Sequence, residues 1–169
     1  MQVPETNPKT ATSISECKLY EADFYAWTQE QVRLLRHQQW NQIDLPNLIE
    51  EIESLGKQQR QELRDRLSVL LEHLLKWEYQ HQQRSRSWLA TLRLQRLDLA
   101  DLLEDNPSLQ PYIEEALRKA YLKGVELAVG ETDLPGSTFP VECSYSLAEI
   151  LDKCFYPGEP SELVEETNW

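Results

Sequence analysis

The stretch from Asp44 to Gln82, DLPNLIEEIESLGKQQRQELRDRLSVLLEHLLKWEYQHQ, decides the fold. Asp44 precedes Leu45 and Pro46, and an Asx N-cap with proline in the first turn is a helix start. Beyond it, Leu48, Ile52, Leu55, Gln59, Leu63, Leu67, Leu70, Leu74 and Trp77 recur every three or four residues. At about 100° per residue they form one inward stripe. No strong stop interrupts the stretch, so a single helix of roughly 36 residues and about 54 Å is expected. Gly56 is its weak point, because glycine costs about 1 kcal/mol against alanine inside a helix.

The flanking segments read the same way. Upstream, Tyr20, Phe24, Trp27, Gln31, Leu34 and Gln38 share one face, widened by Leu35, and predict a first helix over about 21–39. Downstream, HQQRSRS (81–87) breaks the apolar pattern and forms the turn. A third helix then carries Trp88, Leu89, Leu92, Leu99, Leu102 and Leu103 inward. Asn106 and Pro107 open a fourth, in which the small residues Ala120, Gly124 and Ala128 lie four apart and permit close approach of a neighbour. After Gly130, LPGSTFP (134–140) is expected to run extended, anchored by Leu134 and Phe139. Ser146 with Glu149 makes a capping box for a short helix over about 147–154, with Leu147, Ile150, Leu151 and Cys154 inward. From Pro157 onward a frayed end is expected. The expected architecture is all-α: an up-and-down bundle of four principal helices with a long second helix, an extended C-terminal segment and one short helix. The expected domains are a flexible leader (1–18), one helical-bundle domain (19–157) and an acidic tail (158–169).

Charge narrows the function classes. The net charge is −12, and residues 130–169 hold nine acids against Lys153. That balance disfavours general nucleic-acid binding, which needs cations against phosphate. No run of about 18 apolar residues occurs, so no membrane span is expected. The first residues, MQVPETNPKTATSIS, lack the apolar core of a secretory signal. Cys17, Cys143 and Cys154 are an odd count without CxxC spacing, which points to a reduced, cytoplasmic protein without a disulfide framework or cysteine zinc site.

Six blocks in order carry a resemblance. They are YEADFYAWTQEQVRLLR (20–36), LIEEIESLGKQQRQEL (48–63), LLEHLLKWEYQ (70–80), RSRSW (84–88), NPSL (106–109) and ETDLP followed by FP. Together they resemble the bacterial domain-of-unknown-function family twenty-nine over about residues 19–157. The resemblance implies an all-α fold and carries over no activity, ligand or catalytic residue. His81-Gln82-Gln83 stands where a proline-containing turn is expected of that family.

Candidate residues remain. Glu78-x-x-His81 is a metal-ligand spacing on a helix, but di-iron bundles need two such motifs with further carboxylates, and only one is present. His73, between Val69 and Trp77, has the chemistry of a general base in an interhelical cleft, or of a plain hydrogen-bonded histidine. Arg84, Arg86, Arg93 and Arg96 form a +4 window without an acid between residues 79 and 97, and with Trp88 can grip an anion, RNA or an acidic partner. The structural alternative has Arg84 and Arg86 bonding the last carbonyls of helix two, or pairing with acids such as Glu50, Glu51, Glu53, Glu62, Asp65 or the tail. The leading expectation is a non-enzymatic interaction or scaffold protein without a cofactor. Its partner is another protein or a second copy of itself. The first rival is a metal-binding or hydrolytic protein using Glu78 and His81, or His73. The second rival is an anion or RNA binder using Arg84–Arg96.

Overall fold

A computed structural model describes residues 19–165. The expected leader, with Cys17, and residues 166–169 at the acidic end lie outside the described residues. Four long helices dominate: α1 (Phe24–Arg36), α2 (Leu45–Tyr79), α3 (Arg86–Asp105) and α4 (Ile113–Thr132). Two short ones follow, α5 (Leu147–Leu151) and α6 (Glu162–Glu165), and no strand occurs among the described residues. The chain is an all-α bundle protein. It divides into two compact units, residues 1–57 and 58–169.

The first unit contains α1, the 3-10 turn Trp40–Gln42 and the opening turns of α2. Asp23 caps α1 through its side chain, which accepts from the Ala26 N–H at 2.9 Å. The Trp27 indole donates to Asp44 at 3.1 Å, and the Tyr20 hydroxyl donates to Glu51 at 2.5 Å. The pairings 27 with 44 and 20 with 51 move apart in sequence together, so the two segments run antiparallel as a helical hairpin. The Asp44 carboxylate is engaged by the Trp27 indole and the Asn47 amide, while its own N–H donates to the buried Gln31 side chain at 2.9 Å.

The stripe of α2 divides at Gly56 in a way that periodicity does not reveal. Helical structure continues through Gly56. Ile52 and Leu55, expected inward, are 60% and 61% exposed, whereas Leu63, Leu67, Leu70, Leu74 and Trp77 are fully buried. Phe24 is likewise half exposed, and Gln38 leaves α1 altogether, turning at φ 56° beyond its C-terminus.

In the second unit, the later turns of α2 pack with α3 and α4 around a leucine-rich core that includes Leu71, Leu75, Leu92, Leu99, Ala120 and Tyr121. Ser85 caps α3, its hydroxyl accepting from the Trp88 N–H. Arg86 is thus the first residue of α3. Asn106 and Pro107 open a 3-10 stretch (Pro107–Tyr112), not the α-helix itself, because Pro111 lies inside it and offers no N–H. Gly136–Thr138 is a 3-10 turn within the segment expected to be extended, and Phe139 is buried beyond it. The capping box of Ser146 and Glu149 is present, but α5 ends at Leu151 and leaves Cys154 exposed. The segment from Pro157 to Glu165 does not fray: Pro157 is buried, and Leu163 and Val164 pack against the core.

Candidate functional site

The arginine window becomes a strap for the C-terminal segment. Arg84 donates through Nε to the Trp77 carbonyl at 2.8 Å, and through its guanidinium nitrogens to the carbonyls of Glu159 at 2.6 Å and Pro157 at 3.3 Å. Its guanidinium also lies over the Trp77 ring. Gly158, at φ 80°, lets the strap turn beneath this side chain; a Cβ there would stand 3.2 Å from Arg84 Nη2. Arg96 is buried and donates to the carbonyls of Ile150 at 2.9 Å and Phe155 at 2.6 Å. Arg93 donates to the Tyr156 hydroxyl at 3.2 Å. Burial lowers the pKa of both Arg84 and Arg96 from the usual arginine range. The bond to the Trp77 carbonyl is the one expected at the end of α2, and the remaining partners of Arg84 are backbone carbonyls of the strap rather than the alternative carboxylates. Arg86 stays exposed at the start of α3, and Trp88 is half buried against the core.

Glu78 and His81 do not converge. The Glu78 carboxylate accepts the hydroxyl proton of the buried Tyr145, whose pKa rises through burial and this bond. His81 is exposed on the 3-10 turn His81–Gln83. Among the described residues, no group of three His, Cys, Asp or Glu side chains is placed to hold a metal ion.

His73 lies beside a polar cluster that sequence reasoning missed. The Lys76 ammonium is only 1% exposed; it donates to Glu72 at 2.9 Å and to Glu131, and lies over the Trp88 ring. Burial holds the Glu72 carboxyl above its ordinary range, and the bond to Lys76 holds Glu131 below it. His73 Nδ1 stands 2.9 Å from the Val69 carbonyl oxygen, and burial lowers its pKa, with the Lys76 charge adding to the effect. The signal was legible: Glu72 and Lys76, one turn apart, sit inside LLEHLLKW on a face otherwise filled by leucine and tryptophan. The arrangement is a satisfied buried ion cluster, and its ammonium is occupied by two carboxylates.

A third feature lies in the first unit. Phe24, Tyr25, Val32 and Leu35 on α1, with Leu45, Ile49, Ile52 and Leu55 on α2, are all exposed. Eight large apolar side chains exposed on two neighbouring helices are more than the single scattered residues of an ordinary surface.

No curated protein and no solved structure matches the chain. The family model described as domain of unknown function DUF29 matches residues 19–156, and the chain belongs to that family.

Proposed function

We propose that the chain is a non-enzymatic protein–protein interaction module that docks through the apolar face of its N-terminal hairpin. The observation carrying this reading is the disproportion within that unit. Its buried side chains among the described residues are Trp27, Gln31 and Leu34, while eight large apolar side chains on the two helices stand exposed. A helical unit of about 40 residues rarely stands on so small a core and completes it by association. The polar clusters support the same reading, since Arg84, Arg96, Lys76 and Glu78 all serve contacts within the fold. A net charge of −12 favours a protein partner over nucleic acid. The free thiols Cys143 and Cys154 fit a reducing, cytoplasmic setting.

The experiment is site-specific photocrosslinking in the native cell. A benzophenone amino acid at Ile52 is compared with the same group at Leu122, an exposed apolar residue of α4. Adducts of discrete mass from Ile52 and none from Leu122 are expected. Identical adduct patterns from both positions, or none from Ile52, overturn the reading.

A further inference from the structure

We infer that the occupant of the hairpin face is a second copy of the same hairpin, joined face to face about a two-fold axis into a four-helix arrangement; this rests on the interaction reading above.

The geometry of the face carries the argument first. On α1 the buried residues Trp27, Gln31 and Leu34 mark the side turned to α2. Counting about 100° per residue, Phe24, Leu35, Val32 and Tyr25 fall in one sector clockwise of that side, viewed from the N-terminus of α1. On α2 the side turned to α1 is marked by Asp44 and Glu51, which take the Trp27 indole and the Tyr20 hydroxyl. Leu55, Ile52, Leu45 and Ile49 fall clockwise of it by the same count. In an antiparallel pair, two sectors displaced in the same rotational sense from the shared seam lie on the same broad side. The hairpin therefore has one apolar side rather than two scattered stripes.

Size and chemistry then select the occupant. Fractional exposures on this side run from 36% at Leu35 to 74% at Tyr25. Weighted by side-chain size they offer roughly 700–800 Å², and a stable pair of proteins buries about 800 Å² on each partner. The face thus has the area of a complete half-interface without contributions from elsewhere. Between Leu45 and Gly56 the α2 sector holds Leu45, Leu48, Ile49, Ile52, Leu55 and Gly56, with no ionisable group. Glu53, beside this sector, is paired with Lys57 at 3.6 Å. An acidic chain meeting its own copy must keep like charges out of the contact, and this side does so. A Cβ built on Gly56 meets nothing within 4 Å, so the face is low at that point and admits a close neighbour. Two-fold pairing is the ordinary closed solution for such a self-complementary patch.

The test uses the purified full chain, with mass measured by sedimentation equilibrium from about 1 to 100 µM. The chain is expected to be a dimer. Ile49→Glu with Ile52→Glu should raise the dissociation constant more than about a hundredfold, because charges would enter the apolar contact. Both sites are exposed within the single chain, so helical content should hold by circular dichroism. Val32→Glu on the other helix should weaken association likewise, and the milder Leu55→Gln covers the case in which the double variant fails to fold. A wild-type monomer throughout this range overturns the inference. Folded variants that remain fully dimeric also overturn it, as does a chain that becomes dimeric only when residues 1–18 are deleted. A monomer in solution with Ile52 adducts to a different protein in cells removes the second copy but leaves the interaction reading standing, whereas no Ile52 adducts removes both.

Discussion

A Cβ placed on Gly124 of α4 would stand 3.0 Å from the carbonyl oxygen of Ser68 on α2, with Leu71 Cβ at 3.1 Å and the Glu72 amide nitrogen at 3.2 Å. Two of those three neighbours are backbone atoms of a buried helix and cannot rotate away. Gly124→Ala should therefore destabilise the protein by about 1–3 kcal/mol, even though alanine is the better helix former by about 1 kcal/mol. Gly130, in the same helix, has nothing within 4 Å of the corresponding position. Gly130→Ala should then raise stability by about 0.5–1 kcal/mol. Urea unfolding of the two variants decides the matter, and equal effects would contradict the close approach of α2 and α4.

The buried Lys76 sets up a second comparison. Lys76→Met removes the ammonium and leaves Glu72 buried beside Leu75 and His73 without its partner. The expected loss is about 3–5 kcal/mol, the usual result of orphaning a buried charge. Changing Glu72→Gln at the same time should recover a large part of it, because no unpaired charge then remains inside. Glu131→Gln should cost less, since that carboxylate is 59% exposed and can turn to water. Chemical denaturation of the single and double variants, read as a double-mutant cycle, gives the coupling. A double variant no more stable than Lys76→Met alone would contradict this account.

Helical periodicity assigned the four long helices and the core positions Trp27, Leu34, Leu63, Leu67, Leu74 and Trp77, because burial against a neighbour imposes a 3–4 spacing. It could not tell Ile52 from Leu67. Both belong to one stripe of α2, and the period records which residues share a side, not whether another element covers it. Arg96 was misread for the opposite reason. Its charge suggested surface, yet it shares the inner stripe of α3 with Leu89, Leu92 and Leu99. The carbonyls of Ile150 and Phe155 that accept from its Nε and Nη2 come from more than 50 residues away, beyond the reach of any local pattern. The arrest of the C-terminal segment by Arg84 is non-local in the same sense.

Arg84 also predicts an unusual salt response. Its hydrogen bonds to the carbonyls of Trp77, Glu159 and Pro157, all within 3.3 Å, end on backbone oxygens rather than carboxylates. Arg84→Gln should lower stability by about 1–3 kcal/mol, with nearly the same loss at low and high ionic strength. Arg66 is the contrast, since it pairs with Glu62 and Asp98 near the surface. Arg66→Gln should cost less than about 1 kcal/mol, and that loss should shrink as salt is added. Thermal melts of both variants at two salt concentrations test this. A salt-sensitive Arg84→Gln would mean that its partner is a carboxylate after all.

His73 makes the last prediction, a dependence of stability on pH. Its pKa is lowered from 6.5, first by burial and then by the neighbouring Lys76 charge, with the Val69 carbonyl and Glu131 opposing. Glu72 lies nearby as well, its carboxylate oxygen 3.8 Å from Nδ1. Because the folded state binds the proton less tightly than the unfolded chain, stability from this group is fully present above pH 6.5. It is lost as the pH falls from there through the folded-state value. Glu131, whose pKa is also lowered, contributes its loss in a separate and more acidic window below 4.5. Glu72 acts in the opposite sense, since a raised carboxyl pKa recovers stability on acidification. His73→Gln keeps a polar side chain near Val69 but removes the titration. Wild-type protein should lose stability as the pH falls below about 6.5, with a slope that the variant lacks, until the folded state too has taken up the proton. Urea midpoints at half-unit pH intervals measure this directly. Parallel curves across the whole range would show that His73 is not held neutral by its surroundings.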